Sequence, residues 1–471
     1  MKKYIIIILI AAGFAGCSKV TDQSPISSIS LNNAFKTAQD ANAGVIACYD
    51  GLQDLTKFLF YWGEGRTDVF ALTVYSNTGD QQITGGNVDA LNLNGFGSWG
   101  TAYSVINRAN EVIKFVPAIT DPAITNSRQR LIAEAHYVRA LTYFYLRRVF
   151  VNVPLITEPN TDVSQNLFVS QAHPDSVTAQ IERDLNFAEA TLTDAPYTTL
   201  IENKGRATKG AVYALQADFY LWKHNYALAA TKAAAVETSS QAYTLVPGAQ
   251  YINIFREKNT AESIFEIQYN QQDAGNNLYN DFLPQSATAP VYPGGGWSVQ
   301  PSQKMKDSIA VNDLRRTAVY KIVLPGVTND PPFRNDLNKP YVNKHFGNVV
   351  GTTRTGDNNY IVYRLADIIL LRAEALNEGG KTPEAITQVN RIIARAGLTA
   401  IPANSGQEFV RTQIAKQRFV ELAYEGKRYF DLVRRGTYAT ETGNTLPRYL
   451  YWPIELAELQ RNPNLVQNQD Y

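Results

Sequence analysis

The stretch RAEALNEGGKTPEAI, residues 372–386, decides how this chain is read. From Ala375 to Thr382 it satisfies a relaxed nucleotide-binding pattern: a small residue, four arbitrary ones, then Gly-Lys-Thr. In a phosphate loop Lys381 would reach the β- and γ-phosphates and Thr382 would hold magnesium. Such a loop needs a buried strand running into the glycines and a helix starting at the lysine. The preceding residues are helical instead. Leu365, Ile368, Ile369, Ala373 and Leu376 share one helical face, whereas Arg372 and Glu374 would place charge inside a strand. Pro383 has no amide to offer a phosphate and suits the first turn of a helix, with Thr382 expected as its N-cap and Glu384 favourable beside it. Gly379 and Gly380 end the helix before. The stretch reads as a tight turn between two helices, with Lys381 facing solvent.

Working outward, the turn belongs to a repeat. In residues 367–397 Ala373 and Ala385 stand twelve apart, and in residues 211–237 Ala217 and Ala229 do the same. Small residues so placed let two helices cross closely, while Leu376, Tyr220 and Tyr226 fill the neighbouring grooves, as in tetratricopeptide helix pairs. RALTYFYLRRVF (139–150), with Ala140 and Tyr143, looks like a third first helix. Helical periodicity is also expected over 33–55, from 99 onward, over 177–192, over 209–223, and from 363 to about 435. Two segments differ. Residues 58–98 are rich in Gly, Asn and Thr and 243–360 in Gly, Pro and Asn, and both read as loops with short extended pieces such as ESIFEIQY (262–269). The tail from 449 mixes Pro, Asn and aromatics and is expected to pack as an irregular cover.

With 471 residues, 45% of them hydrophobic and 18% charged, the body is expected to fold. The net charge of +1 provides no basic excess for nucleic acid. Residues 1–16 read as a signal peptide: Lys2 and Lys3, an apolar run too short to span a bilayer, and small residues before Cys17. Cys17 stands where a lipidated cysteine would, and 17–30, polar and serine-rich, reads as a tether to a single domain over 31–471. Cys48, the only other cysteine, reads as a small buried hydrophobe.

No chemistry-bearing motif stands out. The four histidines, His136, His173, His224 and His345, are widely separated, and neither H-E-x-x-H nor G-x-S-x-G occurs. No cofactor or metal is implied. Glu421 and Glu425 lie in a charge-dense stretch over 415–436, but an apolar stripe and pairs such as Arg428–Asp431 and Lys427–Asp431 make it a structural helix. What remains is aromatic: Trp62, Tyr75, Tyr279, Tyr292 and Trp297 in the loop-rich segments, with Asp68 and Asn77 as polar neighbours. Sugar faces stack on such rings, and carboxylates and amides take hydroxyl hydrogen bonds.

Together these stretches resemble the SusD-like (RagB/SusD) outer-membrane nutrient-binding lipoproteins over essentially the whole length. The resemblance is carried by Cys17, GEGRTDVF (63–70), WGTAYSVINRAN (99–110), RALTYFYLRRVFVNVPL (139–155), the repeat around 363–398, ELAYEGKRYFDLVRRG (421–436) and NPNLVQNQDY (462–471). Phe14 and Asn152 depart from the pattern. The resemblance implies a mainly α fold of about four tetratricopeptide-like helix pairs (about 99–236 and 363–436), with a loop-rich ligand-binding subdomain. It implies a non-enzymatic, lipid-anchored surface protein. Its partners would be a SusC-type TonB-dependent transporter and an oligosaccharide or, in some members, a peptide. Asp68 is the site residue it carries over. A tetratricopeptide scaffold without a small ligand is the competing reading.

Overall fold

The computed structural model describes residues 34–471 apart from 87, 92, 162–166, 195–196, 271–274, 284–294, 324–338 and 351–352. Cys17 and Tyr292 lie outside the described residues, as do the signal peptide and tether.

The first helix, α1 (Ala38–Glu64), opens on a capping box in which Thr37 accepts from the Asp40 amide. It runs nine residues beyond the expected 55. Residues 58–64 are therefore helix, and they point Leu59, Phe60 and Trp62 into the core. Next come β1 (Phe70–Leu72), α2 (Thr78–Gly85), α3 (Gly100–Phe115), α4 (Arg128–Phe150), α5 (Pro174–Thr191), α6 (Leu200–Gly205), α7 (Lys209–Trp222) and α8 (Tyr226–Glu237). The loop-rich part contributes β2 (Ser263–Ile267), α9 (Tyr279–Phe282), β3 (Val299–Pro301), β4 (Tyr320–Val323), β5 (Lys339–Val342), β6 (Asn348–Val350), β7 (Thr353–Thr355) and β8 (Tyr360–Arg364). Helices resume with α10 (Leu365–Glu378), α11 (Thr382–Arg395), α12 (Gln407–Glu421) and α13 (Arg428–Arg434).

The fold is mainly α. Four helix pairs pack in succession: α1 on α3, α4 on α5, α7 on α8, and α10 on α11. Ala217, Ala229, Ala373 and Ala385 are all buried where the paired helices cross. The α10–α11 turn is closed by backbone bonds. Gly379 N–H donates to Ala375 O at 3.0 Å and Lys381 N–H to Leu376 O at 2.8 Å, with Gly380 at φ +77°. Thr382 is the first residue of α11, one place inside the cap, and its hydroxyl donates to Asn377 Oδ1 at 3.1 Å. Lys381 is exposed.

The strands form short antiparallel pairs, β1 with β3, β8 with β2, β4 with β5 and β6 with β7. One hydrophobic cluster runs from Ala41 to Ile454. The tail does act as a cover: Trp452 is fully buried, with the Arg66 guanidinium over its ring and its backbone amide N–H donating to Val149 O.

Residues 415–436 are not one helix. The chain breaks between α12 and α13, where Tyr424 and Gly426 take positive φ. Asp431 pairs with Arg418 and Arg434 rather than with Arg428 and Lys427, because Arg428 is held by Asp68 and Lys427 by Asp367. Glu421 and Glu425 are buried in an ion network centred on Arg364. That guanidinium donates to Glu425 Oε2 at 2.7 Å, to Glu421 Oε1 at 2.6 Å and to Glu262 at 2.7 Å. Arg315 and Arg395 complete the shell of Glu421, and Lys344 that of Glu425. Burial alone would raise the Glu421 carboxyl, but Arg395, Arg364 and Arg315 hold it well below the usual carboxylate range.

Candidate functional site

The pairing of β1 with β3, Phe70 opposite Pro301 and Leu72 opposite Val299, joins the two loop-rich segments. It carries Tyr75 and Trp297 to each other, ring centroids 6.0 Å apart and tilted by 45°. Beside the strands, Ser76 Oγ donates to Ser298 O at 2.6 Å, and Thr73 Oγ1 to Trp297 O. Trp297 sits at φ +46°, a left-handed conformation uncommon for a bulky residue. Its indole N–H donates to Pro340 O at 3.1 Å, and only 4% of the side chain is exposed. Trp297 is thus the support against which the half-exposed Tyr75 rests. Tyr279, at the start of α9, is half-buried and packs with Tyr341, Leu283 and Phe346. The Asn280 carbonyl accepts the Trp297 amide at 3.3 Å, so α9 abuts the same corner.

Asn77 is exposed and caps α2: its side chain accepts the Asp80 amide at 2.9 Å, and Asp80 returns a bond to the Asn77 amide. Asn94, exposed and at φ +48°, donates to both Asn77 Oδ1 and Asp80 Oδ1 at 3.3 Å. Asp80 is 6% exposed, and burial pushes its carboxyl upward. Sequence reasoning passed over Asp80 and Asn94. The Asn77–Asp80 spacing is a capping-box signature and could have flagged the first.

Two expected site residues are structural. Trp62 has no exposed surface; its indole N–H donates to Phe96 O at 2.8 Å, and its ring meets Phe58 and Phe150 edge-on. A ring sealed in the core offers no face to a sugar. Asp68 is bound bidentately by Arg428 at 2.8 and 2.7 Å and by Lys304 at 2.6 Å, with 5% of its side chain exposed. Burial opposes its charge, but those two cations hold the carboxyl below its ordinary value. All its strong acceptor positions serve the fold.

The arrangement that survives is a shallow corner. Tyr75 supplies an apolar face backed by Trp297, and Asn77 and Asn94 supply amide donors and acceptors beside it. Among the described residues, no group of three or more His, Cys, Asp or Glu could hold a metal ion. A separate cavity of about 500 Å³ opens between α1, α6 and β2, lined in part by Ile46, Gln53, Ile201 and Gln268, away from this corner.

Comparison with known proteins agrees with the architecture. Residues 324–448 match the model of the SusD family, and residues 66–221 match a SusD-like model described as "Starch-binding associating with outer membrane". Both matched stretches are therefore SusD-like. It is 29% identical to SusD-like protein P2 of Formosa agariphila over 514 residues, covering 99% of each chain. A SusD-like protein of Bacteroides ovatus is 25% identical, covering 92% of this chain and 82% of its own. A solved "Laminarin binding SusD-like protein" is 27% identical and superposes with a TM-score of 0.78, covering 93% of this chain and all of its own. No described helix is long and apolar enough to cross a membrane.

Proposed function

We propose that the protein is a non-enzymatic, lipid-anchored glycan-binding subunit of a nutrient importer. It captures an oligosaccharide at the Tyr75 corner and passes it to a SusC-type TonB-dependent outer-membrane transporter that it covers as a lid. The carrying observation is full-length likeness, in sequence and in fold, to a laminarin-binding relative. The corner has the matching chemistry: one supported aromatic face for stacking and exposed amides for hydroxyl groups. Cys17 is the proposed lipidation site, and the helical repeats the face toward the transporter.

Laminarin oligosaccharides are the first probe. Calorimetric titration should show saturable binding, and Tyr75→Ala should weaken it by roughly tenfold, about 1.4 kcal/mol, with unchanged melting. Equal affinity in wild type and variant would remove the corner as the site. Absence of binding across a broad glycan panel would remove the glycan reading itself. Extraction of the native complex from membranes tests the transporter.

A further inference from the structure

A second polar site lies on the helical repeats, where the α7–α8 turn meets the C-terminal ends of α10 and α13 and the flank of α12. A cavity of about 200 Å³ there is lined by Arg411, Arg434, Arg435 and Thr437 together with Glu374 and Glu378. Both carboxylates are consumed. Arg434 grips Glu374 at 2.9 and 2.8 Å, and Arg411 grips Glu378 at 2.7 and 2.8 Å. Arg435 is the third cation. It is half-buried, and among the described residues its guanidinium has no ion pair and no hydrogen bond. The Thr437 hydroxyl oxygen is buried and also lacks a partner. A planar fork of N–H donors thus lines the cavity, with an orphan hydroxyl buried in its wall. A buried hydroxyl without a partner is uncommon in proteins, and the Arg435 nitrogens face solvent.

We propose that this cavity is a carboxylate-binding site, in which Arg435 takes the anion bidentately and Thr437 donates a further hydrogen bond. The guanidinium fork matches a planar carboxylate. Arg435 feels Glu374 and Asp431 without a direct contact to either, so it suits one negative charge, and the Glu374 and Glu378 walls oppose the second charge of a sulfate or phosphate. Burial draws the Arg435 pKa down, yet an arginine remains charged under any physiological condition. His224 and Tyr226 also line the cavity, His224 Nδ1 and the Tyr226 hydroxyl hydrogen-bonded to each other at 3.0 Å. The ligand class is a small carboxylate, either free or on a sugar acid.

The test is titration of the full-length folded protein with acetate, glucuronate, neutral glucose and sulfate, followed by calorimetry or NMR. Saturable binding of acetate and glucuronate but not of glucose supports the site. Tighter glucuronate identifies a sugar acid as the source, and equal affinities identify the bare carboxylate. Arg435→Gln should weaken carboxylate binding by about tenfold or more, as loss of a bidentate charge-assisted contact does. Arg435→Lys should restore it only in part. Thr437→Val, which leaves every cation in place, should weaken it a few-fold and serves if the arginine variant fails to fold. Sulfate binding more tightly than acetate, no saturable carboxylate binding, or unchanged affinity in both Arg435→Gln and Thr437→Val would overturn the proposal.

Discussion

Gly63 and Gly426 meet backbone to backbone: a methyl group on Gly63 would lie 1.9 Å from the Gly426 carbonyl oxygen. The C-terminal turn of α1 is thereby locked into the break between α12 and α13. Gly63→Ala cannot be absorbed by a side-chain rotation, because the obstacle is main chain. It should cost about 3 kcal/mol or more, and chemical denaturation would measure it. A loss within experimental error would show that the two backbones can separate freely.

Next to that contact, Glu64 Oε1 accepts the amides of Glu425 at 3.0 Å and Gly426 at 3.1 Å. Burial pushes its carboxyl up to about 8, against these hydrogen bonds, from an ordinary value of 4.5. Between those values the folded protein keeps a proton that the unfolded chain releases. The Glu64 contribution is therefore fully present at low pH and is lost as pH rises through the window, at no more than about 1.4 kcal/mol per unit. Glu64→Gln keeps an acceptor and removes the titration, so its stability relative to wild type should improve as pH rises. Denaturation curves across the window check the slope; parallel curves would refute it.

Asp68→Asn breaks a buried bidentate pair with Arg428 and should destabilise the fold by about 3–5 kcal/mol. Glycan affinity of the protein that remains folded should be unchanged. Comparing melting with calorimetric affinity separates the two effects, and a selective loss of affinity would return Asp68 to the binding site.

Trp62→Ala should behave likewise, costing about 3–5 kcal/mol through the cavity left among Phe58, Phe96 and Phe150. Its melting temperature should fall well below that of Tyr75→Ala, whose ring is half-exposed.

Lys381→Ala should change stability by no more than about 0.5 kcal/mol, since the side chain is exposed and the turn is closed by backbone bonds. Matched melting curves would check this, and a large loss would reopen the role of the lysine.

These contrasts show what local sequence can convey. The α10–α11 turn is legible because everything that makes it, two glycines, a proline and the paired alanines, lies between Ala373 and Ala385. Its cap was misplaced by one position, Thr382 turning its hydroxyl back to Asn377. Trp62 is expected in a loop because residues 58–98 are rich in Gly, Asn and Thr, whereas one of those glycines, Gly63, is needed inside the helix for close approach to Gly426. Asp68 was misread because its partner, Arg428, is 360 positions away in sequence. Among the candidate binding residues, Tyr75 and Trp297 stand out by residue type alone, but their division into exposed face and buried support depends on the β1–β3 pairing. That pairing has no local signature.

The network around Arg364 sets a limit on how this chain can be cut. Glu262, Arg315, Lys344, Arg364, Arg395, Glu421 and Glu425 share it. Those seven come from the loop-rich segment, the end of β8, the last residues of α11 and α12, and the break before α13. A fragment ending before Glu421 would keep four cations and a single carboxylate of that set in an apolar interior, each excess charge costing several kcal/mol. The loop-rich segment and the C-terminal helices are thus tied by one buried charge network, and cutting between them strips those charges of their partners.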